Sequence, residues 1–158
     1  MKQIITAGIL IVNKNNQVLI CHPTNHAPTF WSIPKGVVEK GEMILDAAIR
    51  ETFEETNIDF TKANGLKELE SIEYKKGKKR LYPFLAWEPA IYGIDWNSFD
   101  VKCNSFVPIE KGGFAEMDDY QWVTIDEAIG LVHESQIPVL NQVKGIVLWK
   151  KLNITFIS

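Results

Sequence analysis

Runs of apolar residues broken by short polar stretches mark most elements of this chain. IITAGILIV and VLICH flank Asn13 to Asn16, whose side chains suit a turn, so the N-terminal part reads as strand, turn, strand. The loop CHPTNHAPTF follows, and then WSIPKGVV, extended because Pro34 disfavours a long helix. In MILDAAIRETFEET the period changes. Leu45, Ile49 and Phe53 recur at four-residue spacing, which predicts a helix with that stripe turned to the core. Glu42 and Asp46 suit the positive helix start, although Met43 stands where Ser or Thr would cap better. LESIEYKKGKKRLYPFLAWEPA reads as a hairpin turning at KKGKK, residues 92–115 as a long loop broken by Gly93, Pro108, Gly112 and Gly113, and YQWVTI as a strand. Thr124 or Asp126 can cap a short helix through IDEAIGLV, and SQIPVLNQVKGIVLWKKL offers a last helix weakened by Gly145. Strands alternating with helices predict an α/β or α+β fold, with a helix on each side of a mixed sheet.

The chain of 158 residues fits one domain, expected over 1–158, and is long enough to bury a core. Its hydrophobic content of 46% and charged content of 23% are those of a soluble globular protein. A net charge of −3 gives no encouragement to a nucleic-acid partner, but leaves room for a small phosphorylated ligand held by local charge. Cys21 and Cys103 form no metal-type pair and read as reduced thiols of a cytoplasmic protein. The apolar N-terminus is too short to span a bilayer and has no small-residue cleavage site, so no membrane partner is expected. The oligomeric state is open.

The chemistry concentrates on the helix that carries RETFEE. Each helical residue turns by about 100°, so Glu51, Glu54 and Glu55 share an arc of about 100°. Like charges at this spacing cost a few tenths of a kcal/mol per pair, roughly, so helix stability gives no reason to gather them. A divalent cation does, because hard Mg²⁺ or Mn²⁺ prefers carboxylate oxygen and water and shares them with substrate phosphates. Taken alone, the Glu54–Glu55 pair reads first as a solvated acidic face.

The wider spacing changes that reading. Gly36, Glu42, Arg50, Glu51, Glu54, Glu55 and Ile58 resemble the Nudix box, G-x(5)-E-x(7)-R-E-U-x-E-E-x-G-U, where U is bulky and apolar. Seven of its nine specified positions match over residues 36–58. Thr52 departs at the first U and still offers a methyl group to the core, while Asn57 replaces the last Gly and suits a left-handed helix end. The resemblance implies an α/β/α sandwich around a mixed sheet, and Mg²⁺- or Mn²⁺-dependent hydrolysis of a nucleoside diphosphate linked to another group. It implies metal binding for Glu51, Glu54, Glu55 and the carbonyl of Gly36. It implies a bracing role for Arg50 and Glu42, with Arg50 beside the catalytic groups rather than reacting itself. A further carboxylate from outside the box serves as ligand or general base in many members. Glu116 in GGFAEMDDYQW is the candidate, with Asp118 and Asp119 as rivals that equally suit turn caps.

Other residues add substrate candidates. Lys35, next to the box, can meet a phosphate or simply be a solvated lysine. Tyr74 stands out because dinucleoside polyphosphate hydrolases of this family often carry a tyrosine at a similar distance past the box. Beside it, the Lys75–Arg80 turn, with Lys76, is a basic patch suited to extra phosphates or to plain solubility. Phe30, Trp31, Tyr82, Phe84 and Trp122 are stacking candidates for which core packing is the simpler reading. His22 and His26 lack a third ligand and read as no metal pair. The expected function is hydrolysis of a small-molecule nucleotide, with a dinucleoside polyphosphate in front. Nucleoside triphosphates, ADP-ribose and nucleotide sugars are the alternatives, and so is a non-catalytic nucleotide-binding domain. RNA 5′-end processing lacks an obvious basic face.

Overall fold

The computed structural model describes residues 2–157, with side chains described as far as Leu152. Met1 and Ser158, the ends of the expected single domain, lie outside the described residues. β1 (Ile4–Val12) and β2 (Gln17–Pro23) form the antiparallel pair predicted from the apolar runs. In the turn between them Asn16 takes φ 58°, and the Asn13 side chain accepts the amides of Asn15 and Gln17. β6 (Lys79–Trp87) lies parallel to β1 on its other side. β4 (Lys67–Glu68) and β7 (Met117–Thr124) extend the sheet beyond β6 and β2, giving the order β4–β6–β1–β2–β7. β3 (Lys35–Val37) pairs antiparallel with the start of β1, and β5 (Ile72–Tyr74) with the start of β6. Among the described residues the sheet has seven strands.

Helices cover both faces, as expected. α1 (Ile44–Thr56) packs with Ala7, Ile9 and Ile11 of β1, while α2 (Ile125–Leu131) and α3 (Ile137–Ile157) pack with Leu10 and Val12 from the opposite face. A strand covered on both sides has no polar face, which is why β1 reads as one apolar run rather than an alternation. Each of its fully buried Ile and Leu side chains contributes roughly 1.5–3 kcal/mol. Thr124 caps α2 in a reciprocal capping box with Glu127, and α3 runs through Gly145 without a break. Residues 92–115 are irregular apart from short 3₁₀ turns, as the glycines and prolines predict. Among the described residues no helix is long and apolar enough to cross a membrane.

The register of α1 overturns one expectation. Leu45 and Phe53 are 39% and 42% exposed, Ile49 is half-buried, and the side chains buried on the sheet are Ala47, Ala48, Thr52, Glu55 and Thr56. The helix lies close over β1, and only small residues fit that gap. The large apolar side chains point to the flank instead. The expected methyl of Thr52 is in the core, but its buried Oγ1 has no hydrogen-bond partner. The helix ends as predicted, with Asn57 in the left-handed region at φ 64° and its amide donating to the Phe53 carbonyl. Met43 occupies the N-cap without a side-chain bond.

Candidate active site

β3 and α1 meet at the carboxylates. Gly36, on β3, faces the Glu51 carboxyl so closely that a Cβ there would lie 2.0 Å from Glu51 Cδ. No residue with a side chain fits without pushing Glu51 away. One turn on, Glu55 is 5% exposed, and its carboxylate accepts the Lys35 amide at 3.1 Å. Burial pushes the Glu55 pKa up to about 8, against the pull of that amide. The Glu51 pKa is raised as well, first by burial and then by the Glu54 charge. Tyr120 of β7 anchors this end of α1, donating its hydroxyl to the Glu55 carbonyl at 2.5 Å.

Arg50 holds the cluster together. Its Nε and Nη2 donate to the two oxygens of Glu42 at 2.8 and 2.9 Å, and Nη2 also reaches the Val37 carbonyl at 3.1 Å. Nη1 donates to Glu51 at 2.9 Å and to Glu54 at 3.2 Å. The fork carries Glu42 down to about 2. The loop between β3 and α1 is thus tied to the helix by one guanidinium, and Glu42 also accepts the Glu39 amide at 3.0 Å.

Glu51, Glu54, Glu55 and the Gly36 carbonyl are all hard oxygen donors, the type that suits Mg²⁺ or Mn²⁺. The glycine that leaves room beside Glu51 fits the same use. In the arrangement seen here Arg50 Nη1 supplies the countercharge, and among the described residues no three acidic or other ligating side chains converge into a closed cation cage. The carboxylates are gathered and partly desolvated, with a cation already among them.

Of the three carboxylates considered from the 114–122 stretch, the structure gives each a different environment. Glu116 is exposed, and its charge raises the pKa of both Glu51 and Glu55. Asp118 pairs with His22, Oδ1 to Nδ1 at 2.6 Å, while Asp119 accepts the Tyr120 amide at 2.8 Å. His22 and His26 turn to different partners: His22 Nε2 lies 2.9 Å from the Ala27 carbonyl and His26 stacks on Phe30.

On the far side of Gly36 the charge changes sign. Lys35 Nζ lies over the Tyr74 ring, 5.5 Å from its centroid, and the Tyr74 hydroxyl is 3.0 Å from Thr6 Oγ1. Tyr74 sits opposite Lys79 in the β5–β6 register, and the Lys75 and Lys79 ammonium groups lie near enough to repel each other. Burial first, then the neighbouring ammonium groups, lower the pKa of both Lys35 and Lys79. Lys75 and Lys76 both take the left-handed turn at φ 50° and 54°, a strained conformation for lysine. Lys76 is at the exposed tip. Tyr120 and His22 were not legible as site residues, and Lys79 was legible only as one of the Lys75–Arg80 run. Lys79 falls in a basic run whose members only pairing distinguishes, and the other two act through partners distant in sequence. Among the stacking candidates Trp31 and Phe84 are core residues, at 6% and 8% exposure.

The family model described as NUDIX domain matches residues 2–143. An RNA pyrophosphohydrolase of Pelagibacter ubique is 29% identical over 141 residues, covering 87% of this chain and 86% of that protein. An RNA pyrophosphohydrolase of Bartonella clarridgeiae is 28% identical over 148 residues, covering 86% of this chain and 84% of its own. Among solved structures, a C. elegans Ap4A hydrolase binary complex superposes with a TM-score of 0.63 at 22% identity, over 90% of this chain and 98% of that one. At that identity the likeness speaks for the fold.

Proposed function

This chain belongs to the Nudix family of hydrolases acting on phosphoric anhydride bonds, and on that premise we propose that it cleaves nucleotides whose phosphate chain runs past the scissile bond, with a dinucleoside polyphosphate as the leading substrate. The observation that carries this reading is the group of three lysines, Lys35, Lys75 and Lys79, around Tyr74 beside the carboxylates. Like charges brought together, one of them through a strained turn, cost free energy unless a polyanion relieves them. Tyr74 offers a ring for a base, and Lys76 at the turn tip is within the same basic patch. ADP-ribose, with two phosphates, leaves much of that charge unused.

In this reading Glu51, Glu54, Glu55 and the Gly36 carbonyl hold Mg²⁺ or Mn²⁺. When bound, the metal neutralises phosphate oxygens and lowers the pKa of water. Arg50 and Glu42 keep the loop and helix in register, and a bound cation would supply the countercharge that Arg50 Nη1 gives here. Glu116, exposed at the rim, takes the proton of the attacking water. The chain 1–158 works as one domain, in the cytoplasm, where two free cysteines are at home. The names of the bacterial relatives favour a second reading, the 5′-triphosphate end of an RNA, which also presents more than two phosphates in a chain. The test is a comparison of diadenosine tetraphosphate, a short 5′-triphosphate RNA and ADP-ribose with Mg²⁺ and then in excess chelator. Either long-chain substrate is expected to exceed ADP-ribose in kcat/KM by about tenfold or more, with no turnover in chelator. A preference for ADP-ribose rejects the long-chain reading, and turnover in chelator rejects the metal.

A further inference from the structure

The loop that bears Glu116 is gripped from one side by β2 and the loop after it. Thr24 donates its amide to the Glu116 carbonyl at 2.9 Å and its hydroxyl to the Ala115 carbonyl at 2.5 Å. From the other side the Glu116 amide donates to the Ser105 carbonyl at 2.9 Å, and the Met117 amide to Cys103 Sγ at 3.4 Å. At this point the β2–β7 pairing slips. His22 stands opposite Asp119, and Pro23 opposite Met117, so Asp118 is the extra residue of a bulge. A bulge breaks the alternation of side chains and re-aims the residues next to it. Its direction is held by one side chain. His22, 9% exposed, bonds Asp118 through Nδ1 at 2.6 Å and the Ala27 carbonyl through Nε2 at 2.9 Å, with its ring edge-on to Trp31 at 5.4 Å. Both partners are acceptors, so making the two bonds together takes a proton on each nitrogen.

We infer that His22 is a positioning residue for Glu116: by bonding Asp118 and Ala27 at once it locks the bulge and the 24–30 loop, and so aims the Glu116 carboxylate at Glu51 and Glu55. This rests on the reading of Glu116 as the base. His22 meets no substrate in this scheme. It acts by keeping a reacting group in place, where a displacement of about 1 Å can cost as much as a hundredfold in rate. A pair of this kind serving stability alone would leave the turnover of the folded enzyme untouched.

The test is a double-mutant cycle on the full chain, with diadenosine tetraphosphate and Mg²⁺, together with amide hydrogen exchange on the metal-free protein. Glu116→Gln is expected to lower kcat by about tenfold or more. His22→Ala is expected to lower kcat by about fivefold or more, with KM within about twofold of wild type. The double variant is expected to be no slower than Glu116→Gln alone, because His22 acts through Glu116. Exchange at the Glu116 and Met117 amides should quicken in His22→Ala while the α1 amides stay protected. Should His22→Ala fail to fold, Asp118→Asn, which keeps the shape and removes the charge, takes its place in the cycle. If Glu116→Gln is slow but His22→Ala turns over at the wild-type rate, or if the two losses multiply, the positioning role is overturned while the base stands. If Glu116→Gln itself runs at the wild-type rate, the base assignment falls, and the positioning role with it. Unchanged exchange at residues 116 and 117 overturns the lock independently of activity.

Discussion

The carboxylate helix and the lysine hairpin flank Gly36 and are built by opposite rules. On α1 the charges are answered. Arg50 bonds Glu42, Glu51 and Glu54, and Glu55 accepts a backbone amide inside the core. In the hairpin Lys75 and Lys79 repel each other at close range and Lys35 lies on Tyr74, while the nearby Glu73 is taken by Arg80. Among the described residues none of those three lysines forms an ion pair. The helix cluster is complete enough to fold around, whereas the hairpin cluster is electrostatically unfinished. On the proposed function, the first would carry the chemistry and the second the choice of ligand.

The largest effect that can break this contrast lies in the helix. Glu54→Gln and Glu55→Gln are each expected to lower kcat by about a hundredfold or more, the scale for loss of one preorganised charge in an active site. Wild-type turnover in both would reduce the cluster to a packed acidic face. Glu55 also sets a pH signature. Its folded pKa of about 8 lies above its ordinary value of 4.5, so across that window the native protein holds a proton that the unfolded chain releases. The stability of the metal-free protein is therefore expected to fall as pH rises from 4.5 to about 8, and Glu55→Gln to flatten that slope. Thermal melts across this range check it, and a stability that rises with pH there contradicts the buried neutral acid.

A smaller effect tests the hairpin. Replacing Lys75 and Lys79 by Ala is expected to cost about tenfold in kcat/KM for diadenosine tetraphosphate and less for ADP-ribose. Because these are partly exposed charges, the loss should shrink as salt is added. Equal losses on both substrates at every ionic strength would deny the hairpin its part in selection.

The smallest effects concern packing under the helix. Phe53→Ala, at a side chain 42% exposed, is expected to cost about 1 kcal/mol or less. Thr52→Val, which removes a buried hydroxyl without a partner, is expected to gain about 1 kcal/mol. Chemical denaturation of both measures the register directly. A large loss at Phe53 would restore the stripe expected from periodicity.

That stripe shows where sequence reading loses its hold on this fold. The period of Leu45, Ile49 and Phe53 identifies a helix but does not say which side the sheet takes, because the close approach of α1 to β1 favours Ala48 and Thr52 over larger neighbours. β1 and β2 were legible because burial on both faces writes an unbroken apolar run, and the hairpin because its turn is a cluster of Lys and Gly. The box was legible because its residues lie within 23 consecutive positions, from β3 to just past α1, so that its resemblance to the family's motif can be read along the chain.

By itself the sequence determined the helix and its gathered glutamates through local spacing, and the resemblance of residues 36–58 to the family's box implied the Arg50 and Glu42 pair and the glycine beside them. The tertiary structure alone decided that His22 meets Asp118 at a bulge, that Tyr120 ties β7 to the end of α1, and that Lys35 and Lys79 gather at Tyr74. Those contacts join segments far apart along the chain. Their geometry comes from strand register and layer packing, which depend on the whole sheet being assembled rather than on any short run of residues.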